Sequence, residues 1–279
     1  MKIHSELQHF NVGPFKVKQP LPNSLVNGLS PFLLLHHAGP SFHAPGSINT
    51  RLSPHPHRGF EPVTFLFSGG LHHKDSTGAE GWLYSGDVQW MTAGRGIIHS
   101  EGPSEAFAET GGTMELIQLW VNLPRNHKMS APRYQDLKAD KIPVVTANGF
   151  STKVVAGNYA SVAGPAETFT PIDAFMVEFK AGGAAAYTIP QFFNGIIYVL
   201  NGSVLLDGSK IDGLEMAVFE GTGRTIELEA LSDGKLLFLS GAPIEEPVVS
   251  YGPFVMNYQG EIKQAMLDYE TGKMGKLDF

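Results

Sequence analysis

His55-Pro56-His57 and, further along the chain, His99-Ser100-Glu101 are the two short stretches from which the fold can be argued. Successive side chains of a β-strand point to opposite faces, so the outer members of each triplet share a face. Two such strands, facing each other in a small β-barrel, would bring three imidazoles and one carboxylate to one point. This donor set suits a mononuclear metal ion and leaves room for a substrate.

The composition fits a β protein that acts on small molecules or proteins. The 279 residues are 42% hydrophobic, which is enough for one large domain or two smaller ones. The formal net charge is −7 and no run of Lys or Arg is present, which argues against direct binding of nucleic acid. Cysteine is absent, so any metal must be held by nitrogen and oxygen donors.

The N-terminal sequence bears on location. Residues 1–10 lack the basic start and the continuous apolar core of a signal peptide. The longest early apolar run, Phe32 to Leu35, is far too short to cross a bilayer. We therefore expect a cytoplasmic protein that does not enter a membrane.

Short segments rich in Val, Ile, Phe, Leu and Tyr alternate with turns, since the chain has 32 Gly and 19 Pro. This pattern predicts an all-β protein of antiparallel sandwiches or barrels. Residues 122–137 are interpreted as a linker, which divides the chain into domains at 1–137 and 138–279. One helix is predicted from Gly260 to Gly272. It is expected to pack against its own domain or, alternatively, to reach the N-terminal domain.

An internal duplication is indicated by residues 63–69 and 196–202, which are both β-runs that end in a polar residue and glycine. Setting the two glycines on each other places Thr188 and Pro190 at the positions of the first histidine pair. The second copy has therefore lost these ligands, and no histidine follows His127. We expect the second half to be structural or adapted for contacts.

Several other residues compete for a place at the site. Glu61 shares the strand parity of His57, but Gly59 permits a bulge that would break this parity. Spacing alone leaves Glu61 open as a ligand, as a support for a ligand, or as a solvent-exposed residue. One of His36 and His37 is a candidate to point toward the cavity, although a buried, hydrogen-bonded role is favoured.

Histidines and aromatic residues near the proposed ligands also have simpler interpretations. One of His72 and His73 is expected to pair with Asp75 and order a loop. The chain contains no P-loop, no Rossmann glycine pattern and no Gly-x-Ser-x-Gly elbow, which excludes nucleotide-dependent and serine-hydrolase functions. Large apolar residues that are candidates for a pocket wall, but mostly for the core, are Phe60, Phe65, Trp82, Trp90 and Met91.

Five stretches closely resemble the pirin family of the cupin superfamily: residues 55–61, 86–101, 119–124, 132–136 and 252–257. The resemblance covers nearly the whole chain, and the second stretch is long enough to be highly specific. It implies a bicupin, in which two antiparallel, jelly-roll-like β-barrels lie face to face and a short helix follows. One metal is then expected in the N-terminal barrel.

The resemblance also implies that His55, His57, His99 and Glu101 are the metal ligands, which makes Glu61 a non-ligand. Pirins usually bind iron, so Fe(II) is the expected metal, with Ni, Cu, Mn, Co and Zn as alternatives. One departure concerns residues 36–39, where His-His-Ala-Gly stands in place of the expected Asp-His-Phe-Gly. An extra imidazole and a smaller residue near the pocket bear on substrate shape and on metal preference.

Three neutral histidines and one glutamate leave a divalent ion with a net charge of about +1, which favours an anionic oxygen-donor substrate. Pirins resemble quercetin 2,3-dioxygenases in this respect. The leading hypothesis is a metal-dependent dioxygenase acting with O2 on a flavonol-like or enolic aromatic substrate, with Glu101 as ligand and base. The alternatives are a non-enzymatic, redox-sensing regulator that binds a transcription factor or a metabolic enzyme, and a cupin that binds a small ligand without turnover.

Overall fold

The computed structural model describes residues 2–13 and 15–277, and for Thr222 only the backbone. Its first part is built mainly of strands. In chain order the elements are β1 (Lys2–His4), β2 (Gln8–Val12), β3 (Phe15–Leu21), β4 (Phe32–His43), β5 (His55–His57), β6 (Phe60–Ser68), β7 (Gly70–Asp75), β8 (Glu80–Tyr84), β9 (Val88–Thr92), β10 (Ile97–Pro103), α1 (Glu105–Thr110), β11 (Gly112–Asn122) and β12 (Arg133–Leu137).

The second part continues in the same way and ends in a longer helix. Its elements are β13 (Val144–Ala147), β14 (Phe150–Ala156), β15 (Asn158–Tyr159), β16 (Val162–Ala163), β17 (Ile172–Phe179), β18 (Ala184–Gln191), β19 (Asn194–Asn201), β20 (Ser203–Leu206), β21 (Ser209–Asp212), β22 (Met216–Phe219), β23 (Thr222–Ala230), β24 (Gly234–Gly241), β25 (Val249–Tyr251), β26 (Phe254–Met256) and α2 (Gln259–Glu270).

The chain divides into two compact units. The unit that contains β5 and β10, here called the histidine unit, comprises His9–Gln19, Leu33–Ala139 and Ile244–Phe279. The other, here called the aromatic unit, comprises Met1–Gln8, Pro20–Phe32 and Asp140–Pro243. Strand β1 thus belongs to the aromatic unit, and helix α2 belongs to the histidine unit. The predicted domain boundary after residue 137 stays a prediction.

Each unit contains two main antiparallel sheets and one two-stranded sheet, β25-β26 in the histidine unit and β15-β16 in the aromatic unit. In the histidine unit the large sheet has the order β12-β9-β6-β11-β4-β3-β2, and the small sheet has the order β5-β10-β7-β8. In the aromatic unit the corresponding orders are β1-β22-β19-β24-β17-β14-β13 and β18-β23-β20-β21. The predicted all-β, jelly-roll character is confirmed, but the sheets do not close into barrels.

Strand register shows which residues of the two units correspond. His55 is opposite His99 in the β5–β10 pair, and Tyr187 is opposite Ile226 in the equivalent β18–β23 pair. The residue two positions after each of these four lies on the same face, which adds His57 and Glu101 in one unit and Ile189 and Leu228 in the other. The positions of His55, His57, His99 and Glu101 are therefore taken in the aromatic unit by Tyr187, Ile189, Ile226 and Leu228, all of them buried.

This correspondence differs by one residue from the alignment on the two glycines. Thr188 is exposed, whereas Tyr187 and Ile189 on either side of it are buried. Ile189 lies 13 positions before Gly202, but His57 lies 12 positions before Gly69. The extra residue lies between Ile189 and Gly202, a segment that includes Phe192 with a φ of 70°. A one-residue insertion exchanges the faces of a strand, which explains the error.

Two segments outside the sheets were predicted with different success. The predicted helix is confirmed as α2, with Ile262 and Ala265 buried. The predicted linker is wrong over Arg133–Leu137, because these residues form β12 and pair with β9 at the edge of the large sheet. Across the described parts of the chain, no helix combines the length and the apolar character needed to cross a membrane.

Candidate metal centre

Strands β5 and β10 bring three histidines together at the edge of the small sheet. His55 and His99 lie opposite each other, and His57 lies two residues from His55 on the same face. One ring nitrogen from each histidine lies within 4.8 Å of the others. The ring centroids are 4.3 to 4.9 Å apart. The structure thus brings three of the four predicted ligands to one point, here called the histidine cluster.

Burial sets the protonation of two rings of this cluster, His57 and His99. His57 and His99 are each 3% exposed. Burial lowers the pKa of both rings, and the neighbouring imidazoles lower it further. Both rings are therefore neutral near pH 7. In the part of the chain that the structure describes, their ring nitrogens have no hydrogen-bond partner of normal geometry, so the unprotonated nitrogen of each ring is available to a metal ion.

His55 is oriented by a backbone group. Its Nδ1 lies 2.9 Å from the carbonyl oxygen of Ser53. Because a carbonyl only accepts, Nδ1 carries the proton and Nε2 keeps a free lone pair. Metal-binding histidines are commonly held in this way, with one nitrogen bonded to the protein and the other directed at the ion.

Glu101 lies beside the histidine cluster rather than inside it. It shares a face of β10 with His99 and is opposite His73 of β7. Its Oε1 accepts a hydrogen bond of 3.0 Å from Gln118 Nε2. Burial raises the pKa of Glu101, and the nearby His55 ring, the Gln118 amide and Arg51 oppose this rise. Gln118 was not predicted as a site residue. The only signal for it in the sequence is its position on the inward face of a strand.

A narrow cavity of about 20 Å³ adjoins Glu101. That volume holds about one water molecule, whereas sites for drug-sized ligands measure roughly 300–1,000 Å³. Its polar lining consists of Glu101, Gln118 and His36. Its apolar walls are Val12, Phe15, Val17, Ala38, Leu71 and Leu116.

His36 and His37 point to opposite faces of the large sheet, because they are adjacent on β4. His36 lines the cavity, and its Nε2 lies 2.8 Å from Gln19 Oε1. Burial lowers the pKa of His36 to about 4, so this ring is neutral. His37 is fully buried, with its Nε2 3.4 Å from Glu115 Oε1. Of the two, His36 is the one placed to touch a bound molecule.

Glu61 and Trp90 are not brought to the histidine cluster. Strand pairing places Glu61 opposite Val121 of β11. Val121 and Gln118 are three residues apart on β11, so they lie on opposite faces of the sheet, and Gln118 faces the cavity. Glu61 Oε1 instead accepts a hydrogen bond of 2.6 Å from the Thr92 hydroxyl. Strand alternation therefore sends Glu61 to the other face of the large sheet, where Trp90 lies near it.

Phe60, in contrast, contacts the cluster. Its ring centroid is 5.0 Å from that of His57 and 4.3 Å from that of Trp120. Phe60 and Trp120 thus form one apolar wall beside the histidines. Trp120 was not among the predicted site residues, because its sequence context gave no metal-related signal.

The C-terminal segment holds the strand that carries His55 and His57. Arg58 bonds through its backbone to Pro253 and Val255, and its Nη1 donates to Asp268 Oδ2 at 2.9 Å. A side chain at Gly59 would have its Cβ 1.9 Å from the Val255 carbonyl oxygen, so only glycine fits. The sequence contained an Arg directly after the histidine pair but no indication of its partner.

Comparison with known proteins agrees with this geometry. The family model described as Pirin matches residues 14–121, and the model described as Pirin C-terminal cupin domain matches residues 174–275. A Pseudomonas aeruginosa protein, provisionally named a quercetin 2,3-dioxygenase, is 44% identical over 90% of this chain and 88% of its own length. The chain belongs to the pirin family. The predicted pirin and bicupin character is thus confirmed.

A further relative and a solved structure are similar to nearly the whole of this chain. Mouse pirin is 36% identical over 99% of this chain and 93% of its own length. The crystal structure of a quercetin 2,3-dioxygenase from Acinetobacter baumannii matches with a TM-score of 0.94 and 38% identity. That match covers 100% of this chain and 98% of the other.

Proposed function

We propose that the protein is a metal-dependent dioxygenase of the quercetin 2,3-dioxygenase type, acting with O2 on a flavonol-like or enolic aromatic substrate. The observation that carries the proposal is the cluster of His55, His57 and His99, whose ring nitrogens converge at one point. Glu101 lies on the same face of β10 as His99 and interacts with His55. The similarity to the Acinetobacter baumannii structure of that title supports it.

The donor set fits one divalent transition metal, held by the three histidines and Glu101. Neutral imidazoles and one carboxylate suit first-row metals, and we propose Fe(II), with Ni, Cu, Mn, Co and Zn as alternatives. The orphaned ring nitrogens of His57 and His99 are the structural reason for expecting an ion. When bound, such an ion supplies Lewis-acid activation of a substrate oxygen and a site for O2.

The protein's own groups position the substrate and take its proton. The Gln118 amide holds one oxygen of Glu101, which leaves the other to bind the ion or to accept the proton of a substrate hydroxyl. Apolar side chains, among them Phe15 and Leu116, line the cavity beside this carboxylate.

Elemental analysis and a quercetin turnover assay test the proposal together. Protein loaded with Fe(II) should consume O2 and bleach the absorbance of quercetin. Protein that does neither with any of the first-row metals contradicts the proposal. His99→Ala should lose the metal, whereas His4→Ala, which removes a buried histidine of the aromatic unit, should keep it. Full metal content in His99→Ala would contradict the ligand assignment.

The small volume beside Glu101 favours a second candidate, a redox-sensing regulator that binds a protein partner. A cavity of about 20 Å³ does not admit a flavonol without movement of its walls. A regulator should show different amide hydrogen exchange in the ferrous and ferric forms and no O2 consumption with quercetin. Identical exchange in both forms would contradict this candidate.

A further inference from the structure

Next to the histidine cluster, three polar side chains of the histidine unit face one another. His73 and Asp75 lie on the inward face of β7 and are 2% and 3% exposed. The Tyr134 ring, from β12 of the opposite sheet, has its centroid 4.5 Å from that of His73, and its hydroxyl is directed at Asp75. The His73 ring centroid is 6.1 Å from that of His99. The three side chains thus adjoin the candidate metal centre without belonging to it.

Asp75 is fixed through one of its two oxygens. Its Oδ1 accepts from the Thr77 amide and hydroxyl, each at 2.6 Å, and from the Ala79 amide at 3.1 Å. These bonds order the turn between β7 and β8, as the sequence suggested for Asp75, although with different partners. The second oxygen, Oδ2, is left to face the interior.

His73 is fixed through one of its two nitrogens. Gln89 Nε2 donates to Asp136 Oδ1 at 3.0 Å, and its other hydrogen is directed at His73 Nδ1 at 3.3 Å. The carboxylate of Asp136 fixes the orientation of the Gln89 amide, because only the NH2 side can donate to it. Since Nδ1 accepts, the neutral His73 ring carries its proton on Nε2.

Three atoms remain: His73 Nε2, Asp75 Oδ2 and the Tyr134 hydroxyl. None of them has a hydrogen-bond partner of normal geometry among residues 2–13 and 15–277. Buried polar atoms are nearly always paired, so such a group indicates a bound molecule. An anion would be repelled by Asp75, and a cation would meet the N–H of His73. A hydroxyl oxygen satisfies both, because it accepts from N–H and donates to a carboxylate.

We propose that His73, Asp75 and Tyr134 form a binding site for one hydroxyl oxygen beside the metal centre. In the free protein this oxygen belongs to a water molecule. In the substrate complex it belongs to a second hydroxyl group of the substrate, so that aromatic compounds with at least two hydroxyl groups are preferred. The substrate part rests on the proposed function, and the water part does not.

A high-resolution crystal structure of the metal-free protein tests the site by itself. An ordered water should lie within hydrogen-bond distance of both His73 Nε2 and Asp75 Oδ2. Absence of density there, or a protein group bonded to His73 Nε2, would overturn the proposal. In a catechol complex of the Zn(II)-loaded protein, a hydroxyl oxygen of catechol should replace this water. A water retained beside bound catechol would overturn the substrate part.

Calorimetric titration of Zn(II)-loaded protein with phenol, catechol and resorcinol tests the preference. At least one diphenol should bind roughly tenfold more tightly than phenol. Tyr134→Phe should bring this ratio close to 1 without changing metal content or phenol affinity. Tyr187→Phe, which removes a buried hydroxyl of the aromatic unit, should leave the ratio unchanged.

Two results would overturn the preference: wild-type protein that binds phenol and both diphenols equally, and a ratio that survives in Tyr134→Phe. Failure of the protein to take up metal is distinguishable from both, because it would overturn the proposed function. The crystallographic test of the metal-free protein would then decide the hydroxyl site alone.

Discussion

The histidine unit and the aromatic unit share the same strand pairing but place different kinds of side chain on it. At the four equivalent positions, one has His55, His57, His99 and Glu101, and the other has Tyr187, Ile189, Ile226 and Leu228. Around Tyr187 the aromatic unit is packed with rings. The ring centroid of Tyr187 is 4.9 Å from that of Tyr159 and 5.1 Å from that of Phe238. The backbone thus supports either a polar site or a solid core.

The difference has an energetic meaning. Each aromatic pair in the aromatic unit contributes about 0.5–1.5 kcal/mol beyond the burial of its surface. Each buried polar group without a partner in the histidine unit costs about 1–3 kcal/mol. The histidine unit therefore loses stability at the positions where it holds unpaired ring nitrogens, and a bound metal would restore it.

The largest effect is expected from exchanging equivalent residues. His99→Ile should reduce metal content to background, while the metal-free protein stays within about 1 kcal/mol of wild type because an unpartnered imidazole is removed. Ile226→His should destabilise the protein by about 2–4 kcal/mol, because it buries an imidazole without a partner. Elemental analysis and urea unfolding in EDTA measure both. Equal losses of stability in the two variants would contradict the view that the two units differ in the cost of burying these side chains.

The turn after the histidine pair should be nearly as sensitive. Gly59 has a φ of 87°, and an added Cβ would collide with the Val255 carbonyl. We expect Gly59→Ala to lose about 3 kcal/mol or more, measured by thermal unfolding. Gly46→Ala is the matched control, because Gly46 has a φ of 71° but open space for a Cβ. It should lose only about 1 kcal/mol. Similar losses would show that backbone angle, not contact with Val255, matters.

Asp268 should make the stability of the histidine unit depend on pH. Lys273, Gln264 and Arg58 all donate to its carboxylate and lower its pKa to about 2. The stabilisation should be present above pH about 4 and be lost as the pH falls toward 2, because the folded state holds the ionised form. Asp268→Asn should cost about 1–2 kcal/mol at pH 7.

Unfolding of this variant and of wild type by urea at several pH values checks the prediction, and the two curves should converge near pH 2. Asp140→Asn removes an exposed ion pair with Lys141 and should leave stability unchanged. A constant difference between Asp268→Asn and wild type across this range would contradict the assignment.

The smallest effect concerns the cavity wall. Phe15 is half-buried over the cavity beside Glu101. Phe15→Ala should lose about 1 kcal/mol of stability and should speed quercetin association several-fold, as measured by stopped-flow absorbance. Phe192→Ala, at an exposed turn of the aromatic unit, should change neither. An unchanged association rate in Phe15→Ala would show that ligands enter by another route.

The histidine cluster shows which parts of the site can be predicted from the sequence. Parity along two short strands was sufficient to bring His55, His57 and His99 together, because each pair spans only two residues. It was not sufficient for Glu61, whose direction depends on which strand lies opposite. It also failed at Thr188, because one extra residue between Ile189 and Gly202 exchanges the faces of strand β18.

Contacts between distant segments account for what the sequence did not predict. Tyr134 lies in a segment interpreted as a linker, and only its pairing with β9 carries it inside. The periodicity of α2 predicted a helix with one buried face but not the surface it covers. One partner, Arg58, is 210 positions from Asp268 of this helix, and no local pattern encodes such a distance.

The tie between Arg58 and Asp268 also imposes an order of events during synthesis. The ribosome delivers His55 and His57 long before Asp268, so the strand that carries them lacks its anchor while most of the chain is being made. Strand β1 has the reverse position, since it emerges first and pairs with β22 only after residues 216–218 appear. Both contacts therefore form late in synthesis, because each waits for a partner segment from the second half of the chain.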